Sequence, residues 1–303
     1  MEPLTRRRAL HCLMWGSGAV LWTVSGGVPR PMRLADAAEA AETGSLSFVQ
    51  ISDTHIGFKV APNPDPGATL KEALAKIAAE QRPALMLHTG DVSHLAKPEQ
   101  FDDAAELLKG AGLDTYYVPG EHDTLNDDGK GFFARFGRAH GTGGWYSFDQ
   151  AGVHFVGLVN VLNLKAGGLG YLGPEQLEWL EDDLKGRSAS TPIVVFAHMP
   201  LWSVAPEWGW GTDDGPAAIA HLKRFGSVTV LNGHIHQVIQ KVEGNVSYHT
   251  ALSTAFPQAA PGTPGASPGP LKVPTEELRS LLGVRRVDWV RDKGVTLTDT
   301  RLA

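Results

Sequence analysis

Five short blocks bearing acids and histidines, each just beyond an apolar run, constrain this chain more than any other feature. They are Asp53-Thr54-His55, Gly90-Asp91, Gly120-Glu121-His122-Asp123, Ala197-His198-Met199-Pro200 and Gly233-His234-Ile235-His236. A single Asp-x-His pair arises often by chance. Five such blocks in order between residues 53 and 236, each at a strand exit, form a strong pattern. Side chains at the C-terminal ends of several strands converge on one crevice, and a rigid sheet fixes their spacing. The fold therefore has to bring these strand ends together.

The rest of the pattern supplies such strands. Residues 46–51 alternate within an apolar run and stop at Ser52 and Asp53, as a strand entering a loop does. Residues 68–81 set Leu70, Ala73, Leu74 and Ile77 at helical spacing against Glu72, Lys76 and Glu80. Further strands are predicted at 84–88, 115–118, 145–148, 153–159, 193–196 and 228–231, and helices at 98–109 and 174–185. Hairpin-like strands at 238–243, 246–250, 286–290 and 294–298 close the chain. Alternation of this kind, without a solenoid repeat, reads as α/β. Residues 257–274 are too rich in proline and glycine for a helix or central strand and read as a long surface loop. Too little chain follows to make another domain, so residues 45–303 read as one.

Together the blocks resemble those of the calcineurin-like metallophosphoesterases, which run D-x-H, G-D, G-N-H-D/E, an isolated His and G-H-x-H. The resemblance covers residues 46–255; only the third block departs, with Glu121 where the family has Asn. It implies a four-layer αββα sandwich of two mixed sheets flanked by helices. It also implies two transition-metal ions, Fe, Mn or Zn foremost, held by imidazole and carboxylate donors. On this resemblance Asp53, His55, Asp91 and His236 hold one ion, and Asp91, Glu121, His198 and His234 hold the other. Asp91 is shared, and a hydroxide bridging the ions attacks phosphorus. His122 stabilises or protonates the leaving oxygen, and Asp123 is expected to orient its ring and raise its pKa.

Glu121 adds a third carboxylate to Asp53 and Asp91. A more anionic site holds metal more tightly and repels a dianionic monoester more than a monoanionic diester. The alternative is that its longer side chain blocks an open position and the second ion is lost. His94 stands where the purple acid phosphatase branch has a metal-binding Tyr; it reads as a supporting or surface residue, the alternative being a ring that approaches the first metal or the substrate. Trp202, Trp208 and Trp210 flank the His198 block, either to stack on a planar group or simply to cover the loop. His88, His140, His154, His221 and His249 lack supporting spacing and read as ordinary histidines.

Residues 1–40 read as an export signal. Thr5-Arg6-Arg7-Arg8-Ala9-Leu10 is close to the twin-arginine pattern, with Ala9 where Phe is common. A moderately apolar stretch from Cys12 to Val28 follows, and Ala35-Asp36-Ala37 and Ala38-Glu39-Ala40 offer small-x-small cleavage sites. The stretch is short of the roughly 20 residues a spanning helix needs, although a membrane anchor remains the other reading. Cys12 is the only cysteine, so a cleaved chain has no thiol for disulfides, nucleophilic attack or metal ligation. Residues 1–40 hold five Arg and three acids, so subtracting them from 27 basic and 33 acidic residues leaves 22 and 30. That acidic body argues against a nucleic-acid polymer as partner.

The expectation is an exported, periplasmic metallophosphoesterase acting on a small phosphoester, a cyclic nucleotide or other phosphodiester foremost. The alternatives are a phosphomonoesterase or nucleotidase with the same site, and a non-catalytic metal-binding protein retaining the fold. Contact with a membrane is expected only during export.

Overall fold

Apolar runs that stop at charged loops pair into two facing mixed sheets. The computed structural model describes residues 20–25, 28–33, 44–138 and 143–303. Strands β1 (Val20–Ser25) and β2 (Val28–Arg33) form an antiparallel pair of their own. The twin-arginine segment and the cleavage sites lie outside the described residues.

One main sheet contains β3 (Ser45–Ile51), β4 (Met86–Thr89), β5 (Thr115–Val118), β12 (Gly283–Val290) and β13 (Gly294–Arg301), in the order β13-β12-β3-β4-β5. The other contains β6 (Tyr146–Gln150), β7 (Val153–Gly157), β8 (Ile193–Ala197), β9 (Val228–Asn232), β10 (Gln240–Glu243) and β11 (Val246–Thr250), in the order β10-β11-β9-β8-β7-β6. The central pairs β3–β4, β4–β5, β7–β8, β8–β9 and β9–β11 are parallel. Antiparallel strands border them: β12 and β13 on one sheet, β6 and β10 on the other.

The two-residue period of a strand sorts neighbouring side chains into different layers. Phe48, Leu87 and Val118 meet Phe155, Phe196 and Leu231 between the sheets. Val49, Ile51 and Met86 face outward under α1 (Pro66–Ala79), α2 (Pro98–Lys109), α3 (Lys130–Phe136) and α6 (Thr275–Leu281). On the opposite side Val156, Val195 and Val230 pack under α4 (Pro174–Lys185) and α5 (Gly215–Leu222). The result is the expected αββα sandwich. Among the described residues no helix is long and apolar enough to cross a membrane.

Proline at the first turn sets α2 and α4 at the bounds predicted for them. Helix α1 begins two residues before its predicted start because the Asp65 carboxylate accepts from Ala68 N at 3.0 Å and Pro66 opens the turn. Helices α3, α5 and α6 have no counterpart in the sequence reading; runs of seven or eight residues are too short to display a helical period. Residues 257–274 contain no helix or strand beyond a single bridge between Gln258 and Pro270.

A polar seam crosses the otherwise apolar interface between the sheets. Fully buried Arg285 lies opposite Gln50 on β3 and Asp299 on β13. Its guanidinium donates to Asp299 Oδ1 and Oδ2 at 2.9 and 3.0 Å, and to Thr250 O on β11 at 2.9 Å. Gln50 Nε2 then donates to Thr89 Oγ1 at 3.0 Å and to Asn232 O at 3.2 Å. Asn232 Nδ2 donates to Ala197 O and Met199 O at 3.0 and 2.9 Å. The seam therefore fastens the ends of β3 and β4 to those of β8, β9 and β11.

Removing one partner of a buried pair strands the other charge, at a cost of about 3 kcal/mol. Asp299→Ala is expected to lower the thermal midpoint by roughly 6–12 °C for a domain of this size. An unchanged melt would show that the Arg285–Asp299 pair does not stabilise the fold.

Candidate metal centre

Strands β3, β4, β5, β8 and β9 end side by side, and each ligand block begins within three residues of its strand end. The blocks turn sharply there. Asp53, His55, Asp91, His234 and His236 have φ of 54°, 40°, 52°, 69° and 54°, in the left-handed region that non-glycine residues avoid. Bonds between the loops hold these conformations: Asp53 N donates to Gly90 O at 3.0 Å, His55 N to Asp91 O at 2.9 Å, and Gly233 N to His198 O at 3.0 Å. Two glycines are required by close approach. A Cβ at Gly120 would lie 2.0 Å from Asp91 Oδ1, and one at Gly233 would lie 2.0 Å from Ser52 Oγ.

The side chains form two adjoining groups. In the first, His236 Nε2 lies 3.2 Å from Asp53 Oδ1 and 3.4 Å from His55 Nε2. In the second, Glu121 Oε2 lies 2.8 Å from His198 Nε2, and Glu121 Oε1 lies 3.1 Å from His234 Nδ1. Asp91 lies between them, its Oδ2 3.5 Å from both His55 Nε2 and His198 Nε2. Donor atoms of Asp53, His55 and His236 all fall within 4.8 Å of one another, as do those of Glu121, His198 and His234. Glu121 therefore points into the site.

This arrangement fits cations better than it fits a hydrogen-bonded core. Glu121 Oε2, His198 Nε2 and both nitrogens of His234 are buried and close to other donors, yet make no well-aligned hydrogen bond. Buried polar atoms are rarely left so. Hard and borderline oxygen and imidazole donors suit divalent or trivalent transition metals. The outward nitrogens are already engaged: His198 Nδ1 donates to Thr89 O at 2.7 Å, and His236 Nδ1 donates to Phe256 O. Such bonds leave Nε2 of both rings for a metal.

The charges depend on one another. Burial pushes the His198 ring down, but Asp91 and Glu121 more than offset it and hold the ring well above the usual histidine range. Burial would raise Glu121, yet His234 and His198 hold it well below the usual carboxylate range. Asp53 is lowered in the same way, by His236 and His198 against burial. His55 is pushed well down, first by burial and then by His122 and His236. Imidazole binds a metal only through an unprotonated nitrogen, so a cation entering beside His198 must displace its proton.

His122 stands at the edge of the groups, its backbone N donating to Asp91 Oδ1 at 2.9 Å and its Nδ1 to His94 O at 2.7 Å. Burial lowers it, but Asp91, Glu121 and the His94 carbonyl outweigh that, so the ring lies above the usual range. Asp123 adds to that rise, as expected, but does not orient the ring. Its carboxylate accepts from Val92 N, Ser93 N, Ser93 Oγ and Gly120 N at 3.0, 2.7, 2.9 and 3.1 Å, tying the Glu121–Asp123 turn to the Asp91 loop. Burial and the neighbouring Asp91 push Asp123 up to about 7, against those bonds.

His94 is half-buried against His55 and His122, and is pushed down to about 4, first by burial and then by His122. Trp210 is buried against Trp208, and Trp202 packs on Tyr248, so these rings cover the loop. His88 is buried beneath the site, its Nε2 3.2 Å from Thr54 Oγ1, and burial pushes it down to about 3. Burial likewise pushes His249 down to about 4. His154 contacts Asp149 and Asp183, His221 lies on α5, and His140 is outside the described residues.

The sequence reading gave residues 253–256 no role and placed Gln258 in the surface loop. Ser253 Oγ donates to Asp53 O at 2.8 Å, Phe256 stacks on His55 with centroids 4.6 Å apart, and Gln258 Nε2 donates to His234 O at 2.7 Å. Their one signal was position, just beyond β11.

A model of the calcineurin-like phosphoesterase family matches residues 46–238. A 3',5'-cyclic-nucleotide phosphodiesterase of a Nostoc species is 29% identical over 224 residues, covering 70% of this chain and 79% of that protein. A probable cyclic nucleotide phosphodiesterase of Rhodopseudomonas palustris is 25% identical over 249 residues, covering 74% of this chain and 86% of its own. A dimetal phosphatase from Danio rerio shares the fold, with a TM-score of 0.61 at 15% identity over 85% of this chain and 98% of its own. The matched span includes all five ligand blocks, and the chain belongs to the calcineurin-like phosphoesterase family, hydrolases acting on phosphoester bonds.

Proposed function

We propose that this protein is an exported phosphodiesterase that uses two transition-metal ions, Fe, Mn or Zn, to hydrolyse a small diester such as a cyclic nucleotide. The observation that carries the reading is the pair of adjoining donor groups sharing Asp91, with His122 beside them. Asp53, His55, Asp91 and His236 would hold one ion, and Asp91, Glu121, His198 and His234 the other. Two bound ions supply a water of lowered pKa as nucleophile and neutralise the charge of the phosphoester.

The protein's own groups supply the rest. His122, anchored through Nδ1 to the His94 carbonyl, leaves Nε2 to hand a proton to the departing alkoxide. Its raised affinity for protons suits that donation near neutrality. Glu121 brings a third carboxylate to the site, with 23% of its side chain exposed at the opening. A dianionic monoester meets more repulsion there than a monoanionic diester, and the relatives named as cyclic nucleotide phosphodiesterases support a diester as the substrate.

Glu121→Asn is therefore expected to weaken metal retention and to raise hydrolysis of an aryl monoester relative to the matching diester. A tenfold change in that ratio corresponds to about 1.4 kcal/mol between the two transition states. Wild-type preference for the monoester, or a ratio that Glu121→Asn leaves alone, would contradict the reading.

Export rests on the arginines at positions 6–8 and the apolar stretch behind them. Replacing Arg6, Arg7 and Arg8 together by Lys is expected to retain the precursor in the cytoplasm, because the route reads the arginine pair as an address. Mature protein still appearing outside the cytoplasm would rule that route out.

A further inference from the structure

We propose that His94 is a positioning residue that accepts the Nδ1 proton of His55 and so keeps the Nε2 of His55 free for metal. The inference rests on the reading of His55 as a ligand. His55 Nε2 is turned to the donor group, 3.5 Å from Asp91 Oδ2 and 3.4 Å from His236 Nε2. A neutral imidazole that ligates through one nitrogen carries its proton on the other. That other nitrogen, His55 Nδ1, lies 3.3 Å from His94 Nδ1. With His55 Nε2 turned to the donor group, the facing Nδ1 atoms of the two rings are satisfied when one donates and the other accepts. With the proton on His55, His94 presents its lone pair at Nδ1 and carries its own proton on Nε2.

His94 is held for this role from three sides. Its backbone N donates to Ile56 O at 3.0 Å, which fixes the loop that carries it beside the His55 turn. Its ring packs edge-on against Phe58, with centroids 5.1 Å apart. Its other face stacks on His122, with centroids 4.9 Å apart and planes 18° from parallel, while its carbonyl takes the His122 Nδ1 proton. One residue thus fixes the tautomer of a ligand and the tilt of the proton donor. Every other imidazole of the two groups whose outward nitrogen is bonded uses a backbone carbonyl, Thr89 O for His198 and Phe256 O for His236. His55 relies instead on a side chain, so its support can be changed by mutation.

The test uses the purified full chain and Zn(II) alone, with affinity read by competition against a chelating indicator. Loss of an outer partner of a metal-binding His typically costs 10–100-fold in affinity. His94→Ala is expected to weaken one of the two zinc-binding steps at least tenfold. The amide isosteres separate this role from a merely structural one. Asn places its Oδ1 where His places Nδ1, and Gln places its amide where His places Nε2. His94→Asn is expected to bind zinc within about threefold of wild type, and His94→Gln to fall with His94→Ala. Wild-type affinity in all three variants would overturn the inference. So would equal loss in all three, or rescue by Gln and not by Asn. The Asn and Gln comparison stands even if the Ala variant folds poorly. A wild-type chain that takes up no zinc would instead sink the metal reading, and this inference with it.

Discussion

The structure depends on crowding three carboxylates and four imidazoles into one crevice that water barely reaches. Asp53, Asp91, His55, His198, His234 and His236 are all buried, and Glu121 is partly so. Taking ionised groups out of water costs several kcal/mol each unless they are paired. The groups offset one another's charges, which is why Glu121 and Asp53 are held low and His198 high. What they do not do is satisfy one another geometrically, since atoms of Glu121, His198 and His234 remain without aligned partners. A set of donors that is electrostatically coherent but directionally unfinished is what a site for cations requires.

The backbone carries a second cost. Five ligand residues sit in the left-handed region, at about 1–2 kcal/mol each for a residue with a Cβ. Such strain persists only where the surroundings over-determine it. Here the over-determination is visible: the loops after β3, β4, β8 and β9 bond to one another's main chains, and His234 N donates to both oxygens of Asp53 at 3.2 Å. Beneath them the Arg285–Gln50–Asn232 seam fixes the distance between the two sheets. The strained turns aim the side chains, and the seam keeps the aim.

Much of this was legible in the sequence, because the ligand blocks coincide with strand ends. A strand end is marked locally, by an apolar run meeting Asp53, Asp91 or Gly233. The sandwich architecture was legible through those blocks, and α2 and α4 through their opening prolines. Support that works across the fold was not legible. Nothing near Arg285 in sequence announces Thr250 or Asp299 as partners, and Arg285 stood outside the strand predicted at 286–290. Asp123 shows the opposite failure. Adjacency to His122 suggested that it orients the ring, but the single turn at 121–123 sends its carboxylate to Val92 and Ser93 instead. The site edge at 253–258 was missed because its residues act through backbone carbonyls and stacking, which leave no charge pattern.

The central claim is that Asp91 is shared by two ions and that Glu121 serves the second. Anomalous diffraction from crystals of the zinc-loaded protein tests it most directly. The account predicts two peaks about 3.5–4 Å apart on either side of the Asp91 carboxylate, the second within bonding distance of Glu121, His198 and His234. A single peak among Asp53, His55 and His236, with Glu121 turned away, would contradict it.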